Sequence, residues 1–565
     1  MFDLVIRNGT VIDGSGRPRY QADVGVSDGR IASIGRIRDK GADEIDAEGK
    51  FVTPGFVEVH THMDAQVFWD SLGTCSSWHG ITTAVMGNCG FTLAPCAEAD
   101  KNLVMRSLER AEDISREAML AGITWQWDTF PEYLDAVDRV PKGINYAGYM
   151  GHSALRTYVM GERAFEEPGT ADDLEAMCRQ LEEAVRAGAL GLSTSRTPNH
   201  QTSDDRPVPS RQAEWTEVVA LVNRMGDLGA GMFEIANEQH ADPELKRDYY
   251  RRLHDLSVAS GRPMSFIIGW SQGAPQVTQD YLDLFSEAAA HGGRIFGQGH
   301  TREFMSIVGF PIHLPFDSLP GWKQLRSLPL EAQRQALSDP ERRAELVREA
   351  TEGPYRTAVG AEARPPQYDA LRVLEATGGA VRTVADVAKE RGVGPVDALV
   401  DLCLEADFDQ FFAQPFANQD MDEVVRILRD PRVVVGGSDT GAHVSQVIDS
   451  SIPTFLLSHW VREQQAFTWE EAVRMLTFDP AMAFGFADRG LLTEGHAADL
   501  VVFDPATVAP GLPHADTDLP AGASRLKQGA VGIDATVVNG QVLLREGKHT
   551  GALPGSLLRG PLASR

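Results

Sequence analysis

The sequence predicts an α/β protein: a (β/α)8 TIM-like barrel with a small β-sandwich domain built from both chain termini. Between about residues 56 and 480, short apolar strand-like runs alternate roughly eight times with helical patterns, as βαβ units do. At both ends of the chain, short strands and turn signals occur without helices between them. The 565 residues are 42% apolar and 24% charged, a composition that supplies a large core.

The first 55 residues carry the strand signals of one part of the sandwich. The dipeptides Asn8-Gly9 and Asp28-Gly29 each separate two short apolar runs, a pattern typical of hairpins with a two-residue turn. Residues 481–565 again show short strand-like runs without helices between them, with a further turn signal at Asn539-Gly540. We therefore predict one β-sandwich assembled from residues 1–55 and 481–565.

Residues 56–480 are expected to form the barrel. Its predicted strands cover residues 56–59, 82–86, 145–149, 190–194, 231–235, 264–268, 294–297 and 433–436. Helical patterns lie between most of them, at residues 171–187, 211–228, 243–260 and 279–291. The alternation breaks at about residues 305–430, which predicts an insertion between the seventh and eighth strands. Such an insertion caps a pocket or lies at the periphery, and both interpretations stay open.

The charge balance limits the kinds of partner. Lys and Arg number 53 against 80 Asp and Glu, so the formal charge is −27, and its field repels nucleic acids and anionic membranes. The five cysteines include no CxxC pair and make no disulfide framework. The chain shows no signal-peptide pattern and no run of 18 apolar residues. We expect a cytoplasmic enzyme with a small-molecule substrate and no nucleic-acid or membrane partner.

His60 and His62 are the most informative residues. They follow an apolar strand and are separated by one residue, so alternation directs both imidazoles to the same side. The carboxyl end of a barrel strand is where active sites gather. A pair of imidazoles at this place favours a divalent metal, most often zinc.

Three more side chains follow predicted strands. Cys89 lies between Asn88 and a glycine after the second strand, where it serves as a thiolate ligand or as a small buried side chain. Asn88 is a candidate for polarising a substrate carbonyl. Asp439 follows the last strand and is a candidate for binding metal and taking a proton from water. An Asx-turn or a helix N-cap is the alternative role for Asp439.

Several motifs together resemble the amidohydrolase superfamily. They are PGFVEVHTH at residues 54–62, GGSD at 436–439 and GHAADLVVFD at 495–504. Within that superfamily, GNCG at 87–90, GHSALR at 151–156 and GALGLST at 188–194 resemble the N-acyl-D-amino-acid deacylase, or D-aminoacylase, branch. The resemblance covers nearly the whole chain.

This resemblance implies a metal-dependent (β/α)8 barrel with a composite β-sandwich that hydrolyses C–N amide bonds. By position it implies that His60 and His62 are first-strand ligands. It also implies that Cys89 is the bridging or ligating cysteine and that Asp439 is the last-strand carboxylate. In the family mechanism the metal lowers the pKa of a bound water, whose proton the carboxylate takes and returns to the leaving amine.

The chain departs from the pattern where D-aminoacylases place two further histidine ligands, at the ends of the fifth and sixth strands. Here these strands read GMFEIA at residues 231–236 and MSFIIG at 264–269, without histidine. Glu234 is expected to replace one imidazole with a carboxylate. Because no lysine lies at either strand end, we expect a mononuclear site with one zinc ion. His300, near the seventh strand, is an alternative ligand.

Other side chains are candidates for binding substrate. His152 follows an apolar run and is placed to orient the substrate, Arg156 to bind a carboxylate, and Ser193 ends the next strand. A purely structural hydrogen-bonding role is the alternative for His152 and Arg156.

The leading prediction is hydrolysis of a linear amide, with N-acyl (D-)amino acids as the leading substrate class and the configuration left open. A cyclic-amide hydrolase for hydantoin- or lactam-like rings and a non-catalytic, ligand-binding barrel are the alternatives. Barrels of this kind commonly form homo-oligomers, although no interface is evident in the sequence.

Overall fold

The computed structural model confirms the α/β class and describes residues 1–355, 365–375, 382–447 and 449–563. Its strands, in chain order, are β1 (Phe2–Val11), β2 (Tyr20–Ser27), β3 (Arg30–Gly35), β4 (Gly41–Asp46), β5 (Phe51–Pro54), β6 (Phe56–Glu58), β7 (Ile81–Met86), β8 (Asn145–Gly148), β9 (Met150–Gly151), β10 (Gly191–Ser195), β11 (Met232–Ala236), β12 (Pro263–Ile268), β13 (Arg294–Gly299), β14 (Phe304–Gly309), β15 (Arg372–Val373), β16 (Phe411–Ala417), β17 (Val433–Val435), β18 (Leu500–Phe503), β19 (Ala509–Leu519), β20 (Ala523–Val531), β21 (Ile533–Val538), β22 (Gln541–Arg545) and β23 (Lys548–His549).

The α-helices lie mainly between the central strands. They are α1 (Lys101–Ala111), α2 (Arg116–Gly122), α3 (Phe130–Arg139), α4 (His152–Met160), α5 (Ala171–Ala187), α6 (Trp215–Leu228), α7 (Pro243–Ser260), α8 (Gln276–Ala290), α9 (Pro320–Arg326), α10 (Leu330–Ser338), α11 (Pro340–Glu352), α12 (Val384–Arg391), α13 (Pro395–Glu405), α14 (Met421–Leu428), α15 (Ile452–Phe455), α16 (Trp469–Leu476) and α17 (Phe478–Ala483). Within the described residues, none of these helices is both long enough and apolar enough to cross a bilayer.

Both chain termini contribute to one sheet, with the strand order β23-β22-β21-β18-β5-β1-β2-β3 and β4 paired to β1. Strand β18 pairs antiparallel with β5 and β21, so the C-terminal strands add directly to the N-terminal ones. The turn signals at Asp28-Gly29 and Asn539-Gly540 form the β2–β3 and β21–β22 connections. All four of these residues take left-handed φ angles, as such turns require.

The hairpin predicted at Asn8-Gly9 is wrong. Strand β1 runs through both residues, and its register against β2 shifts between Ile6 and Gly9. Asn8 takes a φ of 59°, and its N–H donates to Asp23 Oδ1 at 3.0 Å. A β-carbon on Gly9 would lie 2.4 Å from Val52 Cγ2. The dipeptide therefore forms a bulge that lets β5 approach closely, rather than a turn.

All eight strands predicted for the central region are present. Strands β6, β7 and β8 form one parallel sheet, and a second has the order β17-β13-β12-β11-β10-β9. Between β8 and β9, the Tyr149 N–H donates to Met86 O at 3.0 Å, so the two sheets adjoin. Most residues of these strands are buried, as expected for parallel strands covered on both faces.

The loops that follow β6 and β17 also meet. The His62 N–H donates to Thr440 O at 2.8 Å, and Thr61 and Thr440 form an isolated parallel bridge. A β-carbon on Gly441, whose φ is 98°, would lie 2.5 Å from His62 O, so this approach requires glycine. The carboxyl ends of the first and last parallel strands are thereby brought together.

The segment predicted as an insertion has a sheet and a buried apolar cluster of its own. Its sheet has the order β14-β16-β15, helices α9 to α13 belong to it, and Leu314 and Trp322 lie in its buried cluster. Two of its helices, α10 and α11, are divided at Asp339, which precedes Pro340. The Asp339 carboxylate accepts a hydrogen bond from the Arg342 N–H at 2.8 Å and caps α11.

Candidate metal centre

His60 and His62 lie just beyond the carboxyl end of β6, and both are buried. The loop is fixed by its backbone, because the Thr61 N–H donates to Val85 O at 2.9 Å. The His60 N–H donates to Glu58 Oε1 at 3.0 Å. The two rings stand 5.4 Å apart, and their Nε2 atoms both face Asp439.

Cys89 lies in the turn after β7, with its thiol beside His60. The Sγ atom is 3.5 Å from His60 Nε2 and 4.0 Å from Glu234 Oε1. Its backbone takes a left-handed φ of 55°, and its N–H donates to Glu234 Oε2 at 2.6 Å. Such a conformation costs on the order of 1–3 kcal/mol. The Glu234 carboxylate on β11 therefore helps to hold the thiol where the isolated turn would disfavour it.

Asp439 completes the cluster from the loop after β17. Its Oδ1 atom lies 3.1 Å from His60 Nε2 and 3.6 Å from His62 Nε2. Its side chain is 24% exposed, whereas His60 is fully buried and His62 is 6% exposed. The carboxylate is therefore more accessible than either imidazole.

Hydrogen bonds on the far side of His60 fix its orientation. His60 Nδ1 lies 2.5 Å from Gln298 Oε1, and Gln298 Nε2 donates to Ser265 Oγ at 2.9 Å. Because the amide nitrogen is committed to Ser265, the amide oxygen accepts and His60 Nδ1 carries the proton. This arrangement directs Nε2 toward Cys89 and Asp439.

His62 is supported by an ion pair with Glu112, a residue that no sequence pattern indicated. Glu112 follows α1, is buried, and places Oε1 3.1 Å from His62 Nδ1. Nothing in its charged sequence neighbourhood marks it as a buried acid. Gln298, also missed, carries a usable signal, because it directly follows the strand predicted at residues 294–297, where a side chain can reach the carboxyl rim.

The pKa values of the cluster are strongly shifted. Burial lowers the pKa of His60 and His62, but the neighbouring acidic groups outweigh it and raise both well above 6.5. Burial would raise the pKa of Asp439, but hydrogen bonds from the two imidazoles lower it well below 3.8. For Glu234 burial prevails and raises the pKa to about 7.

The chemistry of this donor set fits a divalent metal. The ligand atoms of His60, His62 and Cys89 all lie within 4.8 Å of one another. In the described structure the ion-pair partners of Asp439 are the two imidazoles, with no lysine or arginine among them. Imidazole, thiolate and carboxylate are the ligands that zinc prefers in proteins.

The cluster lines a cavity of about 910 Å³. Its apolar wall includes Tyr250, Ile267, Trp270, Phe304 and Phe416. The last two of these side chains belong to strands β14 and β16, so the insertion forms part of the wall. A mostly apolar cavity with a few convergent polar groups is typical of a small-molecule site.

His152 and Arg156, predicted to bind substrate, are engaged elsewhere. The ring nitrogens of His152 lie 2.8 Å from Thr194 Oγ1 and 2.8 Å from Glu217 Oε1. Arg156 donates to both oxygens of Glu217 and to Glu167 O. Neither residue is among the described residues that line the cavity.

Ser193 and Asn88 hold the turn that carries Cys89. Ser193 donates to Gly87 O and accepts a hydrogen bond from the Gly90 N–H at 3.0 Å. Asn88 donates to Thr61 O at 3.1 Å, and neither Ser193 nor Asn88 is a described lining residue. The substrate-binding roles of these two residues, and of His152 and Arg156, remain predictions. The alternative ligand His300 lies apart from the cluster, with Nε2 3.5 Å from Asp449 Oδ2.

Residues 43–544 match the profile of the amidohydrolase family, and the chain belongs to that family. The predicted superfamily is therefore confirmed.

Individual relatives indicate which branch of the family the chain is similar to. The chain is 28% identical over 564 residues to D-aminoacylase of Alcaligenes xylosoxydans xylosoxydans, covering 99% of this chain and 97% of that protein. It is 28% identical over 568 residues to N-acyl-D-glutamate deacylase of the same organism, covering 99% and 96%. The solved N-acyl-D-glutamate deacylase of Bordetella bronchiseptica, complexed with zinc and a phosphonate mimic of the tetrahedral intermediate, has a TM-score of 0.64 and 27% identity and covers 99% of both chains. These likenesses confirm the predicted D-aminoacylase-like branch, and with it an enzyme that acts on C–N bonds other than peptide bonds.

Proposed function

We propose that this protein hydrolyses a linear amide, with N-acyl-D-amino acids as its substrate class. The observation that carries the proposal is the convergence of two imidazoles, a thiol and a carboxylate on one wall of a large cavity. The names of the relatives support the substrate class, since they include D-aminoacylase and N-acyl-D-glutamate deacylase.

The side chains that would hold one divalent ion, zinc by preference, are His60, His62, Cys89, Glu234 and Asp439. When bound, the ion supplies Lewis acidity that lowers the pKa of a water and polarises the substrate carbonyl. Gln298 and Glu112 orient the two imidazoles from behind. Glu234 keeps Oε1 toward the cluster, while its other oxygen holds the Cys89 backbone.

Asp439 is the general base and then the general acid. Its carboxylate takes a proton from the attacking water and returns one to the leaving nitrogen. Its place supports this role, because the side chain touches both imidazoles and still lines the cavity.

The cavity suits an N-acyl amino acid. The apolar wall around Trp270 and Phe304 offers burial to an acyl chain or an apolar side chain. The Lys246 ammonium and the His443 ring line the same cavity and are candidates for pairing with the substrate carboxylate.

The adjoining parallel sheets are two arcs of one closed (β/α)8 barrel that covers residues 56–480, with its insertion at about 305–430. The Tyr149 link between β8 and β9 supports this closure on one side. The bridge between Thr61 and Thr440 supports it on the other. The strands of residues 1–55 and 481–565 then form a β-sandwich domain beside the barrel.

Hydrolysis of defined amides tests the function. The full chain, supplied with zinc, is assayed with N-acetyl-D-methionine, N-acetyl-L-methionine and hydantoin, and the released amine or ring-opened product is quantified. We expect turnover of the N-acetyl-D-amino acid above the other two. Preferential ring opening of hydantoin would point instead to a cyclic-amide hydrolase, and lack of turnover of linear N-acyl amino acids would contradict the proposal.

Substitution of the proposed base tests its role. Asp439→Asn should lower kcat by about 10²–10⁴-fold, the usual contribution of a positioned acid–base group. Asp409→Asn changes an exposed aspartate of the insertion and is the matched control. Equal kcat values for the two variants would remove Asp439 from the mechanism.

A further inference from the structure

A second group of metal-ligating side chains lies on the outer helices. His254 on α7 and His291 at the end of α8 place Nε2 and Nδ1 3.0 Å apart. Glu287 lies one helical turn before His291, and one ligand atom from each of the three residues lies within 4.8 Å of the others. The proposed amidohydrolase reaction uses none of them.

The backbone explains this convergence. Glu287 and His291 are four residues apart, so they project from the same side of α8. Helix α7 packs beside α8 and presents His254 to that side. His254 Nδ1 lies 3.0 Å from Asp255 Oδ1, so this nitrogen donates and the Nε2 lone pair points to His291.

We propose that His254, Glu287 and His291 form a peripheral site for a divalent transition-metal ion such as Zn²⁺ or Ni²⁺. Two imidazoles and a carboxylate are a donor set for these ions, and solvent completes the coordination. Glu287 and His291 are exposed, so the site is open to ions from solution. The formal charge of −27 raises the local concentration of cations around the protein.

The site is separate from the cavity. Tyr281 on α8 lines the cavity, and His291 lies ten residues further along, about 15 Å down the helix axis. An ion at the peripheral site would therefore join α7 to α8 without touching the substrate. A metal analysis of the protein would count this ion together with the one held near His60.

Calorimetric titration of the chelator-treated full chain with ZnCl₂ tests the site. We compare wild type, His254→Gln/His291→Gln, and His549→Gln as a matched exposed-histidine control. The double variant should lose one binding event or weaken it at least tenfold, while the control keeps it. An isotherm of the double variant identical to wild type would overturn the proposal.

A fourth protein, His60→Ala/His62→Ala, separates this inference from the proposed function. It should keep the binding event that His254→Gln/His291→Gln removes. Thermal melts with ZnCl₂ give a second readout: an ion that joins two helices raises the Tm of His60→Ala/His62→Ala, and adding His254→Gln/His291→Gln to that protein removes the rise. If only the peripheral variant loses zinc, this site stands and the proposed metal centre fails.

Discussion

At the scale of single residues, the candidate centre depends on side chains that contact the imidazoles from behind. Glu112 Oε1 lies 3.1 Å from His62 Nδ1, and Gln298 Oε1 lies 2.5 Å from His60 Nδ1. Both supporting residues are buried. Each determines which ring nitrogen faces Asp439, and so determines whether the donors are ready to bind an ion.

Replacing the support of His62 should weaken metal binding. Glu112→Gln keeps the side-chain shape but removes the charge that fixes the ring, so we expect the Kd for zinc to rise about 10–100-fold. Competition with a chromophoric chelator measures this Kd. Glu117→Gln, an exposed change on α2, is the control, and equal Kd values for the two variants would contradict the role of Glu112.

Part of this centre could be predicted from local sequence. His60, His62 and Asp439 follow apolar strands, and the strand period and the barrel rule bring such positions to one rim. Glu112 could not be found in this way, because its contact with His62 joins positions 50 residues apart through an excursion after β7. No short-range period encodes such a contact.

At the scale of elements, a buried ionic cluster joins α4 to α6. Glu217 on α6 lies 2.8 Å from His152 Nε2 and 2.6 Å from Arg156 Nη1. Burial would raise the pKa of Glu217, but these two partners outweigh it and lower the pKa to about 2. The cluster therefore connects two helices of the predicted barrel.

Neutralising this carboxylate should destabilise the fold. Glu217→Gln leaves the buried Arg156 without its counter-charge, and we expect the free energy of unfolding at pH 7 to fall by about 3 kcal/mol. Urea unfolding measures the loss, and Glu214→Gln, an exposed neighbour, should show little change.

The difference in free energy of unfolding between wild type and Glu217→Gln should depend on pH. The pKa of Glu217 is lowered from 4.5 to about 2 in the folded chain, so its stabilisation is present above pH 4.5 and is lost as the pH falls toward 2. The gap between wild type and Glu217→Gln should therefore narrow in acid. A gap that widens below pH 4.5 would contradict this account.

The insertion should contribute to substrate binding through its aromatic edge. Phe416 lines the cavity and is 38% exposed, so an apolar substrate group would cover it. Phe416→Ala should raise KM about fivefold, equivalent to roughly 1 kcal/mol of lost burial, with little change in kcat. Leu330→Ala, an exposed apolar change on α10, is the control, and an unchanged KM in Phe416→Ala would place the substrate elsewhere.

Elements with a clear hydrophobic period were predictable from the sequence. The predictions that failed did so for reasons specific to each place. The bounds of α5 and α7 match the predicted ranges, because caps and glycines mark their ends. The hairpin signal at Asn8-Gly9 gave a wrong prediction because of a contact distant in sequence. Val52 on β5 packs so close to Gly9 that no β-carbon fits there. The start of α11 was readable from Asp339-Pro340, an N-cap residue followed by proline at the first helical position.

At the scale of the whole molecule, hydrogen bonds and an ion pair around Asp499 connect the terminal sheet to the parallel strands. Asp499, just before β18, accepts hydrogen bonds from Asn145 Nδ2 at 3.0 Å and the Asn539 N–H at 2.7 Å. It also pairs with Arg489 at 3.2 Å. Asp499 of the motif at residues 495–504 therefore joins the C-terminal strands to β8 of the parallel sheet.

The sheet shared by the two termini was predictable, because both ends of the chain show short strand patterns and turn signals without helices between them. The wall that the insertion adds to the cavity was not, since both a cap and a peripheral block fitted the sequence. Whether the segment caps the pocket or lies at the periphery depends on how β14 and β16 pack near Trp270. That packing involves residues more than 140 positions apart.

The metal content per chain decides whether His60 and His62 hold an ion. Elemental mass spectrometry is applied to His254→Gln/His291→Gln, so that the peripheral site cannot contribute, with and without the added His60→Ala/His62→Ala substitutions. We predict about one zinc ion per chain, lost when His60 and His62 are replaced. Zinc content that is absent at the outset, or unchanged by the loss of both imidazoles, would contradict a metal-dependent amidohydrolase centre at this site.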